Sequence, residues 1–180
     1  DATEGTLRMW RVNAFKKHEV PPSLHGLFYA GDTYIVHYSY KVRSRETHLL
    51  YHWHGRVASA DEKGSAALLC KEIDDSELNG GATQVRVSQN NEPSHFLALF
   101  KGAMVVRDGG ISKTGKDSRD VDGVALFQVK GTDAQAVRAV QVEEHCGSLN
   151  SADCFVLQCP GHVIVWKGSK AAPEEHAIAE

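Results

Sequence analysis

The chain has 180 residues, of which 42% are hydrophobic and 24% are charged, a composition typical of a globular protein. Its formal net charge of −3 at pH 7 provides no basic surface field, so we expect no nucleic-acid partner. No apolar run approaches the roughly 18 residues of a transmembrane helix. The four cysteines include no C-x₂-C pair and are expected to be reduced thiols rather than metal ligands.

The first part of the chain alternates predicted strands with turns. Leu7–Phe15 alternates apolar and polar side chains, as a half-buried strand does, and a turn and loop follow at Val20–Gly26. Thr33–Tyr40 is dense in β-branched and aromatic residues and predicts a central strand. A charged hairpin loop at Lys41–Thr47 is expected to lead into a neighbouring strand at His48–Trp53.

A long helix is predicted next. Ser59 is expected to be its N-cap, with Glu62 at the third helical position, and these two residue types at this spacing form a capping box. Apolar residues recur at helical spacing as far as Ile73, and Asn79–Gly81 provides the stop signal. The predicted helix has about 17 residues and is the longest element of the chain.

Three shorter elements and a linker follow the helix. We expect a strand at Gln84–Gln89, a short helix at Pro93–Phe100 and a closing strand at Met104–Arg107. Ser112–Asp122 is polar and has no apolar period, which is typical of a linker. Several strands with one long and one short helix predict an α+β fold in which helices cover a sheet.

The same order of motifs occurs twice, about 120 residues apart, and such a repeat sets the unit of folding. A strand-heading aspartate, a Trp-x-Gly turn and a carboxylate at a helix start recur as Asp32, Trp53-His54-Gly55 and Glu62, then as Asp153, Trp166-Lys167-Gly168 and Glu175. We therefore predict a complete repeat at residues 1–111, a linker at 112–122 and the first part of a second repeat at 123–180. We expect the chain to be an excerpt of a longer multi-repeat protein.

Each of the two predicted repeats contains the oxygen groups of a calcium site. Ca²⁺ takes about six to eight hard oxygens and commonly combines backbone carbonyls with a bidentate carboxylate. Gly31 has no side chain, so a carbonyl beside Asp32 can approach a ligand closely. Glu62 and Glu175 are equally well explained as helix caps that complement the helix dipole. The recurrence of the aspartate–glutamate pair favours the metal site.

Stretches throughout the chain resemble the gelsolin/villin family of repeats. They are Trp10–Val12, Gly26–Val36, His52–Gly55, Asp61–Glu62 and Val87–Phe100, followed by Leu126–Gly131, Arg138–Val142 and Leu149–Asp153. The likeness covers nearly the whole chain and is greatest to the fourth repeat running into the fifth of six-repeat members. It implies a gelsolin-like repeat, with a central mixed β-sheet sandwiched between one long and one short helix.

The resemblance also implies a function. Members of this family are calcium-regulated actin-binding proteins, not enzymes, that sever, cap or bundle filaments in the cytoplasm and cytoskeleton. The implied calcium ligands are Gly31 (carbonyl), Asp32, Glu62 and Ile111 (carbonyl) in the first repeat; Ala152 (carbonyl), Asp153 and Glu175 in the second; and Asp74 or Asp75 with the carbonyls of Gly80 and Ala82 for a calcium shared with actin. This chain has one more residue before Gly80 than the family pattern.

The long helix is the element that the resemblance places against actin. Its apolar stripe of Ala66, Leu69 and Ile73 would contact actin, although the same spacing is typical of a helix face that packs on its own core. Basic stretches in the family also meet phosphoinositides, for which Lys16 and Lys17 are the candidates here.

Three other interpretations stay open at this point. The chain can be a calcium-independent structural repeat in which Glu62 is only a cap. His52 and His54 alternate with Trp53 and share one sheet face, which suits zinc, but no cysteine or acidic residue is spaced to complete the ligand set. A hydrolase using either histidine would need a concave pocket around Trp53 and a histidine with a perturbed pKa.

Overall fold

The computed structural model describes residues 5–112, 114–119, 122–131 and 133–178, with the backbone alone at residues 174 and 178. Its strands are β1 (Thr6–Asn13), β2 (Lys16–Glu19), β3 (Leu27–Tyr29), β4 (Thr33–Val42), β5 (Arg45–His54), β6 (Ala82–Ser88), β7 (Met104–Arg107), β8 (Ala125–Gly131), β9 (Val137–Val142), β10 (Cys154–Cys159) and β11 (His162–Lys167). Its helices are α1 (Ala60–Glu77), α2 (Ser94–Ala98) and α3 (Pro173–Ile178). None of the helices in the described residues is long and apolar enough to cross a membrane.

The described residues form two compact units. Unit 1 comprises residues up to 25, 29–92 and 109–118, and unit 2 comprises 26–28, 93–108 and 119 onward. Both contain a mixed sheet, and unit 1 contains the long helix, so the predicted α+β class is confirmed.

Unit 1 is a mixed sheet in the order β2-β1-β4-β5-β6, with β4 at the centre as predicted. Only the β5–β6 pair among the described strands of this sheet is parallel, because α1 provides the crossover between them. The hairpin between β4 and β5 turns at Arg43 and Ser44, whose φ angles are +46° and +69°. The longer loop predicted at Lys41–Thr47 is therefore wrong. A two-residue turn with positive φ at both positions matches the strand twist and lets the pairing continue to the turn.

The β1–β2 hairpin also differs from the prediction at its tip. The predicted strand Leu7–Phe15 ends at Asn13, because Ala14 and Phe15 adopt positive φ angles of 47° and 60° and form the turn. Strand β2 follows as an exposed edge strand.

Helix α1 covers one face of the sheet of unit 1. The predicted capping box is confirmed: the hydroxyl of Ser59 accepts a hydrogen bond from the Glu62 N–H, and a carboxylate oxygen of Glu62 accepts one from the Ser59 N–H. The core between helix and sheet consists of Trp10, Val12, Ile35, Leu50, Ala66, Cys70 and Ile73. Burying each large aliphatic side chain of this kind stabilises the fold by roughly 1.5–3 kcal/mol, which holds α1 on the sheet.

Unit 2 contains a second mixed sheet in the order β11-β10-β8-β9-β7-β3. Strand β7 pairs in parallel with β9, and Phe28 packs on Phe96 and Phe100 with ring centroids 6.1 and 5.3 Å apart. The short helix α2 and the closing strand β7 therefore contribute to unit 2, although the sequence repeat places them at the end of the first repeat. The compact units and the sequence repeats are thus different divisions of the chain, and the repeat boundaries at 1–111 and 123–180 stay a prediction.

Of the predicted linker, residues 113, 120 and 121 lie outside the described residues.

Candidate metal centre

The first predicted calcium site is assembled where two backbone segments of unit 1 meet. The N–H of Gly31 donates to the carbonyl of Gly109 at 2.7 Å, and the N–H of Ile111 donates to Oδ1 of Asp32 at 2.8 Å. A Cβ at Gly110 would lie 2.7 Å from that same Oδ1, so the close approach of the two segments requires glycine there. The structure thus brings Gly31 and Asp32 next to Ile111, which lies 79 positions after Asp32 in the sequence.

Asp32 is a buried carboxylate with incomplete charge compensation. Its side chain is 1% exposed, and this burial raises the pKa of Asp32 above its ordinary value of 3.8. The Ile111 N–H, the guanidinium of Arg11 at 3.9 Å and the Tyr34 hydroxyl, which donates to Oδ2 at 3.2 Å, oppose the pKa rise. The negative charge of Glu62 adds to it. Two acidic side chains from separate elements therefore repel each other at this place.

Glu62 enters the site from the first turn of α1 and is 6% exposed. Its Oε2 accepts hydrogen bonds from the Ser59 N–H at 3.0 Å and from the Ser59 hydroxyl at 2.8 Å. The other oxygen, Oε1, takes part in neither bond. The capping role fixes the orientation of the side chain and leaves an oxygen for a ligand, so the two interpretations of Glu62 are compatible.

These groups fit a hard divalent cation. Asp32 and Glu62 supply negative oxygens, and each carboxylate oxygen has more than one lone pair, so the hydrogen bonds described above do not exhaust them. Ca²⁺ favours this combination of carboxylates with backbone carbonyls such as that of Gly31. Within the described part of the chain, no three His, Cys, Asp or Glu side chains already converge as a metal cluster, so backbone oxygens or water would have to complete the shell.

The backbone around the second predicted site has the same hydrogen bonds and close contacts as the backbone around the first. Val57 donates to the Ala30 carbonyl at 2.9 Å, and Lys170 donates to the Ser151 carbonyl at 2.7 Å, in each case just before the helix. Gly55 lies close to the Asp32 carbonyl, and Gly168 lies close to the Asp153 carbonyl in the same way. The glycine precedes the helix-start glutamate by seven positions in both units. The repeat seen in the sequence is therefore also a repeat of backbone geometry.

Asp153 has different partners from Asp32. Its Oδ2 accepts hydrogen bonds from Nε2 of Gln128 at 2.6 Å and from Nδ2 of Asn150 at 2.8 Å. Burial raises the pKa of the Cys154 thiol, and the negative charges of Glu175 and Asp153 raise it further. Ala152 directly precedes Asp153, as Gly31 precedes Asp32. The partners of the Asp153 carboxylate are therefore two side-chain amides, whereas those of Asp32 are a backbone N–H, a hydroxyl and a guanidinium.

The predicted calcium site shared with actin is built mainly from N–H donors. Asp74 Oδ1 accepts from the Ala82 N–H at 2.9 Å, Oδ2 accepts from Nε2 of Gln84 at 3.1 Å, and the Asp74 carbonyl accepts from the Gly80 N–H at 2.9 Å. The structure thus brings Asp74, Gly80 and Ala82 together, and their hydrogen bonds connect the end of α1 to β6; we call this group of bonds the clasp. The alternative ligand, Asp75, is exposed and pairs with Lys71 at 3.6 Å.

The predicted actin-contact stripe lies on the inner face of α1. Ala66 and Ile73 are buried against the sheet of their own unit, and Leu69 is half-buried beside them. Their side chains therefore serve the core, which corrects the predicted contact face. The outward face instead presents Leu68, which is 66% exposed. Leu68 lines a shallow surface depression with Lys71, Glu72, Asp75 and Ser76.

The predicted histidine pair is present on the face of the sheet. Nδ1 of His52 lies 3.0 Å from Nε2 of His54, and burial lowers the pKa of His54 to about 4, with the charges of His52, Arg86 and Lys63 adding to the shift. A second pair, His37 and His48, was missed by the sequence reasoning because its members lie on different strands. Nε2 of His37 is 3.2 Å from Nδ1 of His48.

The basic candidates for phosphoinositide contact lie on the edge strand β2. Lys17 donates to Glu77 at 2.9 Å and lies 5.5 Å from the ring centroid of Trp10, so its ammonium group is engaged by its own unit. Lys16 is exposed. One exposed lysine offers little attraction to an anionic surface.

The fold and the candidate site together define a gelsolin-type repeat: mixed sheets, a long capped helix and an aspartate–glutamate pair that occurs twice. Comparison with known proteins supports this classification. The family model described as Gelsolin repeat matches residues 14–97 and 135–180, so the chain belongs to the gelsolin-repeat family.

Two curated relatives match nearly the whole chain. It is 45% identical over 174 residues to cytoplasmic gelsolin of Homarus americanus, covering 94% of the chain and 23% of that protein. It is 38% identical over 180 residues to advillin of Mus musculus, covering 100% of the chain and 22% of that protein. The chain thus spans less than a quarter of either relative. A solved complex of the Thorarchaeota protein 2DGel3 with rabbit actin has a TM-score of 0.45 and 22% identity, covering 96% of this chain and 82% of that one.

Proposed function

We propose that the chain is a calcium-regulated, non-enzymatic actin-binding part of a cytoplasmic gelsolin/villin-type protein that severs, caps or bundles filaments. We assign it to the fourth repeat and the first part of the fifth. The observation that carries the calcium proposal is the buried carboxylate of Asp32, whose pKa is raised by burial and further by the negative charge of Glu62. Family membership supports the actin proposal.

The mechanism follows from the elements that carry the two carboxylates. Asp32 lies at the head of the central strand β4, and Glu62 lies in the first turn of α1. Bound calcium would supply the positive charge that this pair lacks. With their repulsion relieved, Asp32 and Glu62 would hold the start of α1 against the head of β4. Calcium favours whichever conformation of the protein binds it more tightly. The position of α1 would therefore depend on the calcium concentration.

We assign the actin contact to the outward face of α1. Its inward stripe is occupied by the protein core, so Leu68 takes the role that the resemblance suggested for Ala66 and Ile73. A large apolar side chain exposed on a helix is suited to insertion into an apolar groove of a partner. The neighbouring charges of Lys71 and Asp75 pair with each other, which makes this face less costly to desolvate than a row of like charges.

Cosedimentation with actin filaments tests the proposal. We expect the chain to pellet with filaments in calcium and to pellet less in excess chelator. Leu68→Asp should abolish the calcium-dependent fraction, whereas Leu24→Asp, which alters an exposed apolar residue outside α1, should not. A chain that never pellets with actin contradicts the actin proposal, and equal pelleting with and without calcium contradicts the regulation.

A calcium-independent structural repeat is the second candidate. The complete capping box of Ser59 and Glu62 favours it, because that hydrogen bonding explains a buried glutamate without an ion. This candidate predicts that the melting temperature of the chain is the same in calcium and in chelator. A rise in melting temperature with calcium excludes it, because a ligand that binds the folded state stabilises that state.

A further inference from the structure

We propose that His37 and His48 form a chelating site for a divalent transition-metal ion such as Zn²⁺. His37 lies on β4 and His48 lies on β5, and both side chains point to the face of the sheet that carries α1. Nε2 of His37 and Nδ1 of His48 are 3.2 Å apart. This pair is separate from the carboxylates proposed to hold calcium and does not depend on that proposal.

The spacing of the two nitrogens matches a metal chelate. Two Zn–N bonds of about 2.0–2.1 Å that diverge by about 95–109° place their nitrogens about 3.0–3.4 Å apart. The two rings are inclined by 37° with centroids 5.3 Å apart, so neither stacks flat on the other and blocks its nitrogen. His37 is 9% exposed, so surrounding side chains already restrict its ring. Little ordering would therefore be needed for both nitrogens to reach one ion.

The electrostatic surroundings of His37 also suit a metal. Burial lowers the pKa of His37, and the neighbouring His48 and Arg8 lower it further, which favours the neutral ring. Neutral imidazole is the form that binds metals. In the contact between the two rings, one nitrogen donates a proton and the other accepts it. Chelation requires that proton to leave this contact for the other nitrogen of its own ring.

Surrounding charges favour this pair over His52 and His54. Arg8 on β1 lies opposite His37, but Glu77 at the end of α1 is 3.6 Å from Arg8 and also holds Lys17. Glu46, two positions before His48 on the same strand face, and Glu77 both act on His37 as negative charges.

The pair formed by His52 and His54 has a cationic setting. Arg86 and Lys63 are the charged side chains that lower the pKa of His54. A divalent cation would be repelled there, although the 3.0 Å spacing of the nitrogens is also suitable. His52 therefore provides a matched control, because it lies on the same strand and makes the same kind of ring contact.

Calorimetric titration of the 180-residue chain with ZnCl₂ tests the proposal. Saturating CaCl₂ is present throughout so that oxygen-ligand sites are occupied. We expect one zinc site whose affinity falls more than about tenfold in His48→Gln, since even outer-shell partners of a metal contribute about that much. His52→Gln should bind zinc like the wild type. Absence of zinc binding, unchanged binding in His48→Gln, or loss in His52→Gln instead would overturn the assignment.

A second measurement does not depend on a variant. Long-range ¹H–¹⁵N spectra of the histidine rings of the wild-type chain report each ring nitrogen separately. Zinc should shift the signals of Nε2 of His37 and Nδ1 of His48 and leave those of His54 in place. Unshifted signals of His37 and His48 at saturating zinc would overturn the proposal even if His48→Gln fails to fold.

Discussion

Oδ1 of Asp32 accepts a 2.8 Å hydrogen bond from the backbone N–H of Ile111, a residue 79 positions later in the chain. This bond joins the head of the central strand of unit 1 to the segment that follows β7. It partly compensates a buried negative charge to which Glu62 adds a second. The stability of unit 1 and the calcium response proposed for it would therefore depend on the same few side chains.

Glu62→Gln should weaken calcium binding by the chain without loosening α1. Glutamine also forms a capping box, so the hydrogen bonds to Ser59 are kept while the negative charge is removed. We expect the tightest calcium site in a calorimetric titration to be lost or weakened more than about tenfold, because a hard cation loses a charged oxygen ligand. The melting temperature in chelator should not fall.

Ser59→Ala is the matched control for Glu62→Gln. It removes the cap and keeps the carboxylate, so it should lower the free energy of unfolding by about 0.5–2 kcal/mol. Calcium binding by the folded protein should persist. Equal calcium affinities of wild type and Glu62→Gln would show that the ion is held elsewhere.

Gly55→Ala should destabilise the fold. A Cβ at Gly55 would lie 2.6 Å from the Asp32 carbonyl and would collide with the Ala30 carbonyl, both of which are backbone atoms that cannot rotate away. We expect a loss of about 1–3 kcal/mol, as for other overpacked sites, measured by urea denaturation.

Gly64→Ala provides the opposite case. Gly64 lies inside α1, and a Cβ added there would have no heavy atom of the described residues within 4 Å beyond the backbone of its own helix. Alanine should therefore stabilise the helix by roughly 0.5–1 kcal/mol. Destabilisation by both substitutions to a similar extent would contradict the steric explanation for Gly55.

Asp74→Ala should lower the free energy of unfolding by about 1–3 kcal/mol, because the Ala82 N–H and the Gln84 amide lose their acceptor. Asp75→Ala is the control, since Asp75 is exposed and its pair with Lys71 is an exposed ion pair worth at most about 1 kcal/mol. Chemical denaturation in chelator measures both. Equal effects of the two substitutions would show that the clasp at the end of α1 contributes little.

His54 should make the chain less stable in acid. Its pKa is about 4 in the folded protein against an ordinary value of 6.5, so the unfolded chain takes up a proton first as the pH falls. The free energy of unfolding should therefore drop as the pH falls from 6.5 to 4. His54→Gln should lose less stability than the wild type over this interval in chelator. Parallel wild-type and His54→Gln profiles would contradict this assignment.

Features that depend on neighbouring residues were predictable from the sequence. The capping box needs only Ser59 and Glu62 at the right spacing, and the long helix has 18 residues against about 17 predicted. The central strand was placed correctly because its β-branched and aromatic residues are contiguous. The turn at Arg43 and Ser44 was missed, since neither residue is a typical positive-φ residue and charge alone suggested a loop.

The sequence proposes the residues of the candidate site but says nothing of their hydrogen bonds. Asp32 and Glu62 are recognisable from neighbouring residues alone, because one directly precedes a predicted strand and the other lies in the first turn of a predicted helix. The Ile111 carbonyl stays a predicted ligand, and the structure adds a bond from the Ile111 N–H to Asp32 that no local sequence signal indicates. The His37–His48 pair had no sequence signal, because its contact depends on the register of β4 on β5.

The sequence by itself determined the class of fold, the repeat and the acidic residues at the heads of its elements, because spacing along one chain encodes periodicity and capping. Only the tertiary structure decided which face of α1 is core, which strands share a sheet and which donors meet each carboxylate. An apolar stripe has the same period whether it packs on its own sheet or on a partner. Strand pairing and burial, which depend on residues far apart in the chain, resolve that ambiguity.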